Sequence, residues 1–210
     1  MHLPSLTALL TLLTTTTTTT LAAPADLLPR QGTTTPARFR LRVRWSNAPD
    51  LFGPIHANGG SFWLKKPTRS YCPGQAVLKA PCPRGTETSF TGGAGGDGRL
   101  ALNVAVPGGQ LVFIGPRGLL RYTQAHSAQM PRGAVTSGLV VQEGTRFLNP
   151  FYQLWACNTD GDAGVWQIWV EQRDVEGNQR NWGKTERNAC TRVNLEAVEA
   201  ADEVAAWQYD

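Results

Sequence analysis

The chain has 210 residues, of which 41% are hydrophobic, 17% are charged and seven are Trp, and its formal net charge is +4. This length suits one domain with a sizeable core behind a leader. The low charge content and the abundant tryptophan exclude an intrinsically disordered chain.

The N-terminus has the features of an export signal. Residues 3–13 are apolar, and Ala22 and Ala25 are small residues that suit cleavage by signal peptidase. The apolar stretch is too short to span a bilayer, and no later stretch approaches the required length. We therefore expect a secreted, extracellular protein without a membrane span. The predicted divisions are a signal peptide at 1–22, a Pro- and Thr-rich linker or propeptide at 23–36 and one β domain at 37–210.

The first strand signal is an alternating segment at 38–45. Phe39, Leu41, Val43 and Trp45 share one predicted face, and four arginines share the other. We expect the apolar face to be buried. The basic face, called here the arginine stripe, is expected to be solvated or to meet the acidic C-terminal end of the chain. An alternative is that it binds a polyanion, either an anionic wall polymer or nucleic acid. The stripe consists of Arg38, Arg40, Arg42 and Arg44.

Short strands separated by Gly- and Pro-rich turns are predicted along the rest of the chain. The last of them, 192–198, overlaps an Ala- and Glu-rich segment, 195–206, that could instead form a short helix capped by Asn194. The total of about nine to eleven strands, with few helices, favours an antiparallel β-sandwich or a β-barrel. The other predicted strands are 61–64, 75–78, 99–106, 110–114, 119–123, 138–142, 146–156 and 165–171.

Four cysteines lie in the predicted mature region. An even number of cysteines behind an export signal favours two disulfides, for which three pairings are possible. We favour disulfides between cysteines that are close in sequence, although the sequence alone leaves the connectivity open. No spacing typical of a metal site occurs. The expected fold is thus an all-β, single-domain antiparallel sandwich or barrel with two disulfides, formed by Cys72 with Cys82 and Cys157 with Cys190.

No recognisable catalytic arrangement is present. His56 and His126 are the histidines outside the leader, and no Gly-x-Ser-x-Gly elbow or metal-binding histidine motif accompanies them. Ser127 follows His126, but neighbouring residues of a strand point to opposite faces. A glycosidase needs two acidic side chains that face one sugar, and the sequence does not show that any two acidic residues lie close together. We expect no catalytic residue, no metal, no cofactor and no enzymatic activity. The acids considered are Glu143, Asp160, Asp162 and Glu171.

Most of the tryptophans are expected to lie in the core. Trp182 stands in a polar, loop-like context and is the best candidate for an exposed platform that stacks on a sugar ring. Trp182 and the arginine stripe are therefore the predicted contacts for a glycan or a polyanion.

Two segments, 121–131 and 205–209, resemble the PhiA-like family of fungal cell-wall proteins, which are secreted and also described as IgE-binding. The first reads Arg-Tyr-Thr-Gln-Ala-His-Ser-Ala-Gln-Met-Pro and the second Ala-Ala-Trp-Gln-Tyr. The resemblance keeps the family's order of motifs and spans roughly 38–210. It extends to 54–64, to the first cysteine pair with its surroundings at 71–88, and to 104–110.

The resemblance implies a non-enzymatic protein of the fungal wall that is linked to the development of spore-bearing cells. The implied partner is a wall polysaccharide or a wall protein, not nucleic acid, and the oligomeric state stays open. The alternatives are a secreted effector or elicitor acting on a host, a carbohydrate-binding β domain, and a carbohydrate-active enzyme with an unfamiliar site. No catalytic residue is carried over. The residues that mark the family, for which a structural role is expected, are Tyr122, Gln124, His126, Trp207, Gln208 and Tyr209.

Overall fold

A computed structural model of the chain describes residues 36–94, 97–150, 153–158, 164–173, 179–180, 190–200 and 203–210. These residues belong to one compact unit, 31–210. The predicted signal peptide, the linker up to residue 35 and Trp182 lie outside the described residues, and their assignments stay predictions.

Strands dominate the described part of the chain, and the two helical elements are a 3-10 turn, Pro49–Leu51, and a one-turn helix, α1, Gln75–Leu78. The strands of the first half are β1 Arg38–Ser46, β2 Gly53–Pro54, β3 His56–Asn58, β4 Ser61–Leu64, β5 Ser70–Tyr71, β6 Phe90–Gly92, β7 Leu100–Leu102 and β8 Val112–Ile114. The strands of the second half are β9 Leu120–Tyr122, β10 Leu139–Val141, β11 Leu148–Pro150, β12 Leu154–Cys157, β13 Trp166–Val170, β14 Gln172–Arg173, β15 Gln179–Arg180, β16 Cys190–Glu199 and β17 Gln208–Tyr209.

The main sheet is a closed, antiparallel β-barrel. Its strands pair in the order β7-β6-β1-β16-β12-β13-β4-β9-β8. The two ends of this path are joined by a bridge between Ala101 and Leu111 and by the hydrogen bond from Leu102 N to Gln110 O, 2.9 Å long. Closure pairs the two end strands of this path with each other. The predicted all-β antiparallel fold is confirmed, and of its two forms the chain adopts the barrel.

The core fills the barrel with the apolar faces of its strands. In β1, Phe39, Leu41 and Val43 alternate with the arginines and are fully buried. The ring of Phe39 stacks on Phe90 with centroids 6.0 Å apart, and Phe62 lies 5.4 Å from Phe90. Each such side chain contributes about 2 kcal/mol when it leaves water. The strict alternation of β1 therefore determines which face of this strand points inward.

Trp45 departs from the predicted face. The pairing of β1 with β16 shifts register between Val43, which pairs with Leu195, and Trp45, which pairs with Asn194. This bulge inserts one residue into β1 and breaks the period of two. As a result Trp45 is 47% exposed, whereas the following Ser46 is buried. The prediction that Trp45 shares the buried face is wrong.

The predicted strand at 75–78 is also wrong, because this segment forms α1. Hydrogen bonds from Leu78 N to Gly74 O, 3.1 Å, and from Lys79 N to Gln75 O, 2.8 Å, close a single helical turn. Val77 is 68% exposed, so the short apolar run is not used for burial. A run of four residues carries too little periodicity to separate strand from helix.

The segment near the C-terminus for which both a strand and a helix were predicted forms a strand. Residues 190–199 form β16, in which Val193, Leu195 and Ala197 are buried on alternate positions. The long antiparallel pairing with β1 supplies the backbone partners that a helix would have found internally. The helix alternative over 195–206 is therefore wrong for 195–199.

Both predicted disulfides are present. Cys72 and Cys82 close the loop that carries α1. Cys157 and Cys190 stand directly opposite each other on β12 and β16, where their Cα atoms are 4.0 Å apart. The second bridge therefore joins neighbouring barrel strands that are separated by 33 positions in sequence.

Candidate functional site

The two family segments, far apart in sequence, meet at one surface cleft of about 460 Å³. We call it the signature cleft. Five of the six residues that mark the family line it, and Trp207 is the sixth, which does not. The lining consists of Gly59, Gly60, Arg69, Arg121, Tyr122, Thr123, Gln124, Ala125, His126, Gln208, Tyr209 and Asp210.

One wall of the cleft is the two-stranded ribbon of β5 and β17. Gln208 pairs with Tyr71, and Tyr209 pairs with Ser70. The ribbon continues through a hydrogen bond of 3.1 Å from Asp210 N to Arg69 O. Because side chains alternate along a strand, Gln208 and Asp210 lie on one face of the ribbon and Tyr209 on the other. Tyr209 is buried, which identifies its face as the one that packs on the barrel.

A buried glutamine, Gln110, holds this ribbon to the barrel. Its Oε1 accepts from Tyr209 N at 2.8 Å, and its Nε2 donates to Tyr209 O at 2.9 Å. The same Nε2 donates to Thr123 O at 2.9 Å. Gln110 is fully buried, and a buried amide is tolerated only when it is hydrogen-bonded. Sequence reasoning missed this residue, although a polar residue at the start of the apolar segment 110–114 was a signal.

Two buried tyrosines complete the attachment. The Tyr122 hydroxyl donates to Asp210 O at 2.8 Å and accepts from Gly60 N at 3.1 Å. The Tyr209 hydroxyl donates to Glu87 O at 2.6 Å. Burial raises the pKa of Tyr122 to about 12, and burial likewise raises the pKa of Tyr209. Both hydroxyls are therefore neutral hydrogen-bond donors at any physiological pH.

The segment 121–131 leaves β9 and turns sharply across the cleft. Ser127 N donates to Gln124 O at 3.2 Å, and His126 occupies the left-handed region with φ of 60°. His126 and Gln124 are exposed, whereas Ser127 is half-buried. His126 and Ser127 thus lie in a turn beyond the strand end, so strand alternation does not govern their directions. The prediction that they occupy opposite faces of a strand is wrong for this reason.

The exposed groups of the cleft provide both donors and acceptors. The Arg121 guanidinium lies 5.8 Å from the centroid of the Phe113 ring, and its Nε donates to Gly60 O at 3.5 Å. Gln208 Nε2 donates to Asp210 Oδ1 at 3.0 Å. Asp210 carries the single acidic side chain among the described lining residues, and Arg69 is the second cation. This arrangement can bind a polar ligand, and it does not place two carboxylates face to face.

The arginine stripe lies elsewhere, on the outer face of β1, and acidic side chains accompany it. Arg40 Nη1 is 2.9 Å from Glu87 Oε1, and Arg44 Nε is 3.7 Å from Glu196 Oε2. Arg42 stands directly across from Glu196 in the pairing of β1 with β16. Glu196 belongs to the acidic C-terminal end of the chain, so part of the positive charge is neutralised internally.

His56 has a structural environment. Its Nδ1 is 3.0 Å from Thr68 Oγ1, and that hydroxyl lies 3.1 Å from Thr88 Oγ1. Burial lowers the pKa of His56, while the Glu87 carboxylate acts in the opposite direction. The hydroxyl of Thr88 in turn accepts from Ala57 N at 2.7 Å. His56 therefore anchors the loop before β5 to the barrel.

The acids considered from sequence do not form a described pair. Glu171 is buried and accepts from Trp155 Nε1 at 3.1 Å. Glu143 is exposed on a turn, and Asp160 and Asp162 lie outside the described residues. Within the described ranges, no cluster of three or more His, Cys, Asp or Glu side chains could hold a metal ion. No helix in the described part of the chain is long and apolar enough to cross a membrane.

A closed antiparallel barrel with two disulfides and a polar surface cleft defines a class of small disulfide-bonded β protein rather than one activity. Residues 39–210 match the model of the PhiA-like secreted protein family, and the chain belongs to that family. It is similar to a protein of Arthroderma benhamiae named as an uncharacterized secreted protein. The two are 28% identical over 185 residues, which cover 84% of this chain and 88% of the relative. No solved structure matches the chain.

The match confirms the resemblance drawn from segments 121–131 and 205–209. It also establishes that the protein is secreted, as its family is.

Proposed function

We propose that the protein is a non-enzymatic component of the fungal cell wall, retained there by binding wall polysaccharide or wall protein. The observation that carries this proposal is the signature cleft, where the two family segments converge on an open, polar surface. The framework behind the cleft is held by buried hydrogen bonds and two disulfides. Such a surface is suited to durable binding outside the cell, where disulfides persist.

A binding role is supported by the composition of the cleft. Hydrolysis of a glycosidic bond uses two Asp or Glu side chains that flank the bond, and Asp210 carries the one acidic side chain among the described lining residues. Arg69, Arg121 and Gln124 offer hydrogen-bond donors to a polar polymer instead. The link to spore-bearing cells is the part of the proposal that the family resemblance supports.

Sedimentation with purified fungal walls tests the proposal. The full chain, secreted from a eukaryotic host, is expected to pellet with the walls and to resist a wash in physiological salt. It is expected to release no new reducing ends from them. Immunofluorescence should place the native protein at the wall of spore-bearing cells. Protein that stays in the supernatant would contradict wall retention, and cell death on infiltration into a host tissue would favour the effector alternative.

A matched pair of double variants locates the binding surface. Arg69→Ala with Arg121→Ala removes two positive charges from the cleft, and Arg40→Ala with Arg44→Ala removes two from the arginine stripe. Wall retention is expected to fall with the cleft variant and to persist with the stripe variant, because Arg40 and Arg44 already face Glu87 and Glu196. A larger loss of wall retention with the stripe variant than with the cleft variant would show that the arginine stripe contacts the wall.

A further inference from the structure

An exposed aromatic ring stands beside the signature cleft. Tyr71 is 52% exposed, although it is directly paired with Gln208, a residue that lines the cleft. Most large aromatic side chains of the described chain are buried in or against the barrel. An exposed ring next to a polar cleft combines an apolar face with hydrogen-bonding groups, which suits a ligand that carries both.

Tyr71 shares one face of the ribbon with three cleft residues, although its ring is not itself part of the cleft lining. Tyr71 and Gln208 are directly opposite residues, so their side chains emerge on the same face. Arg69 lies two residues before Tyr71 and lines the cleft, as Asp210 does two residues after Gln208. Ser70 and Tyr209 form the opposite pair, and the burial of Tyr209 shows that this second face is the inner one. The outer face of the ribbon thus carries one ring and three polar side chains.

We propose that this face is a sugar-binding site, in which a pyranose ring of a neutral wall polysaccharide stacks on Tyr71 and its hydroxyl groups bind Arg69, Gln208 and Asp210. The inference rests on the proposed function and names the ligand class for that same site. The face of a pyranose ring presents C–H groups that pack on an aromatic ring. Its hydroxyls both donate and accept hydrogen bonds, as the three polar side chains do together.

The polar groups are already oriented for such a ligand. Gln208 Nε2 donates to Asp210 Oδ1 at 3.0 Å, which holds the two side chains next to each other. Within the described chain, no group bonds the Gln208 amide oxygen or Asp210 Oδ2, and both can accept from sugar hydroxyls. Tyr71 precedes Cys72, whose disulfide with Cys82 restrains the loop that follows. Groups fixed before binding lose less entropy when the ligand arrives.

The charge of the face favours a neutral sugar over an anionic one. Asp210 places a negative charge beside Arg69, and the hydrogen bond from Gln208 keeps that carboxylate in the site. A phosphate or a uronic acid would meet this carboxylate as well as the arginine. A neutral hydroxyl-rich ring can use both groups, since the arginine donates and the carboxylate accepts.

Calorimetric titration of the full secreted protein with laminarihexaose, chitohexaose and mannohexaose tests the inference. At least one of these neutral hexasaccharides is expected to bind. Tyr71→Ala is expected to weaken that binding at least about fivefold, since stacking contacts of this kind are worth roughly 1 kcal/mol. Tyr71→Phe keeps the ring and should restore most of the affinity. Phe52→Ala is the matched control, because Phe52 is also 52% exposed but lies on the turn before β2, outside the ribbon of β5 and β17.

Three results would overturn the inference. They are binding of no hexasaccharide, equal binding by wild type and Tyr71→Ala, and equal losses for Tyr71→Ala and Phe52→Ala. Should Tyr71→Ala fail to fold in a thermal melt, Gln208→Ala provides the second loss-of-binding variant at the same site. Wall sedimentation separates the two proposals. A protein that pellets with walls but binds no hexasaccharide contradicts only the sugar site, whereas a protein that does neither contradicts the wall role as well.

Discussion

The side-chain amide of Gln110 pairs with the backbone of Tyr209 in both directions, accepting from its N–H at 2.8 Å and donating to its carbonyl at 2.9 Å. The two residues are 99 positions apart. β17 pairs with β5 on one side. On its other side the Gln110 amide bonds the backbone of Tyr209 as a second strand would. This contact fixes the position of Gln208 and of the cleft wall.

Substitution of Gln110 should detach this wall. Gln110→Leu leaves a buried N–H and a buried carbonyl of Tyr209 without partners, which costs about 2–4 kcal/mol of unfolding free energy. Urea unfolding measures this loss, and limited proteolysis should show earlier cleavage in 203–210. Gln124→Ala, an exposed amide in the same cleft, is the control and should change stability by less than about 0.5 kcal/mol. Equal effects of the two substitutions would contradict the bracing role of Gln110.

The buried tyrosines predict a loss of stability in alkali. Burial raises the pKa of Tyr122 from its ordinary 10.0 to about 12, so folding favours the neutral hydroxyl. Its contribution is therefore complete below pH 10 and is lost as the pH rises from 10 to 12. Over that window the unfolding free energy should fall by up to about 1.4 kcal/mol per pH unit and per tyrosine.

Urea titrations across this pH range compare wild type with Tyr122→Phe. The variant should be less stable near neutral pH by about 1 kcal/mol, because it loses the hydroxyl bonds to Gly60 and Asp210. It should also show a shallower alkaline decline than wild type. Tyr71→Phe, at an exposed position, controls for the loss of a hydroxyl. If Tyr122→Phe loses stability in alkali as steeply as wild type, ionisation of Tyr122 is not the cause of the loss.

The two disulfides should contribute unequally. Cys157 and Cys190 enclose 33 positions of chain, compared with 10 for Cys72 and Cys82. On loop length alone, removal of the longer bridge costs about 3–4 kcal/mol and removal of the shorter about 2–3 kcal/mol. Paired Cys→Ala variants unfolded in urea provide the comparison. A larger loss from the 72–82 bridge would show that local packing, rather than chain entropy, dominates its contribution.

The arginine stripe should bind polyanions weakly as long as its acidic partners are present. Glu87→Gln with Glu196→Gln removes the partners of Arg40 and Arg44, and the variant should elute from a heparin column at higher salt than wild type. Glu143→Gln with Glu203→Gln removes the same charge from exposed positions and is the control. An equal shift for both variants would mean that net charge alone, and not the stripe, determines retention.

Local patterns accounted for much of the fold. The alternation of β1 predicted its buried face up to Val43, and proximity in sequence favoured the correct disulfide pairs. Each of these rests on residues close together in the chain. The bulge at Trp45 and the helical turn at 75–78 were not predictable in the same way. The first depends on how β16 pairs with β1, and the second lies in a loop without a partner strand.

By itself, the sequence determined that the chain is a secreted, disulfide-bonded β protein of the PhiA-like family, because export signals, strand periodicity and family segments are local properties. Only the tertiary structure decided that the sheet closes into a barrel and that segments 121–131 and 205–209 meet at one cleft. These features arise from contacts such as Gln110 with Tyr209 and Tyr122 with Asp210, which span 99 and 88 positions. Such contacts depend on how the whole barrel packs, and no periodicity in the chain encodes them.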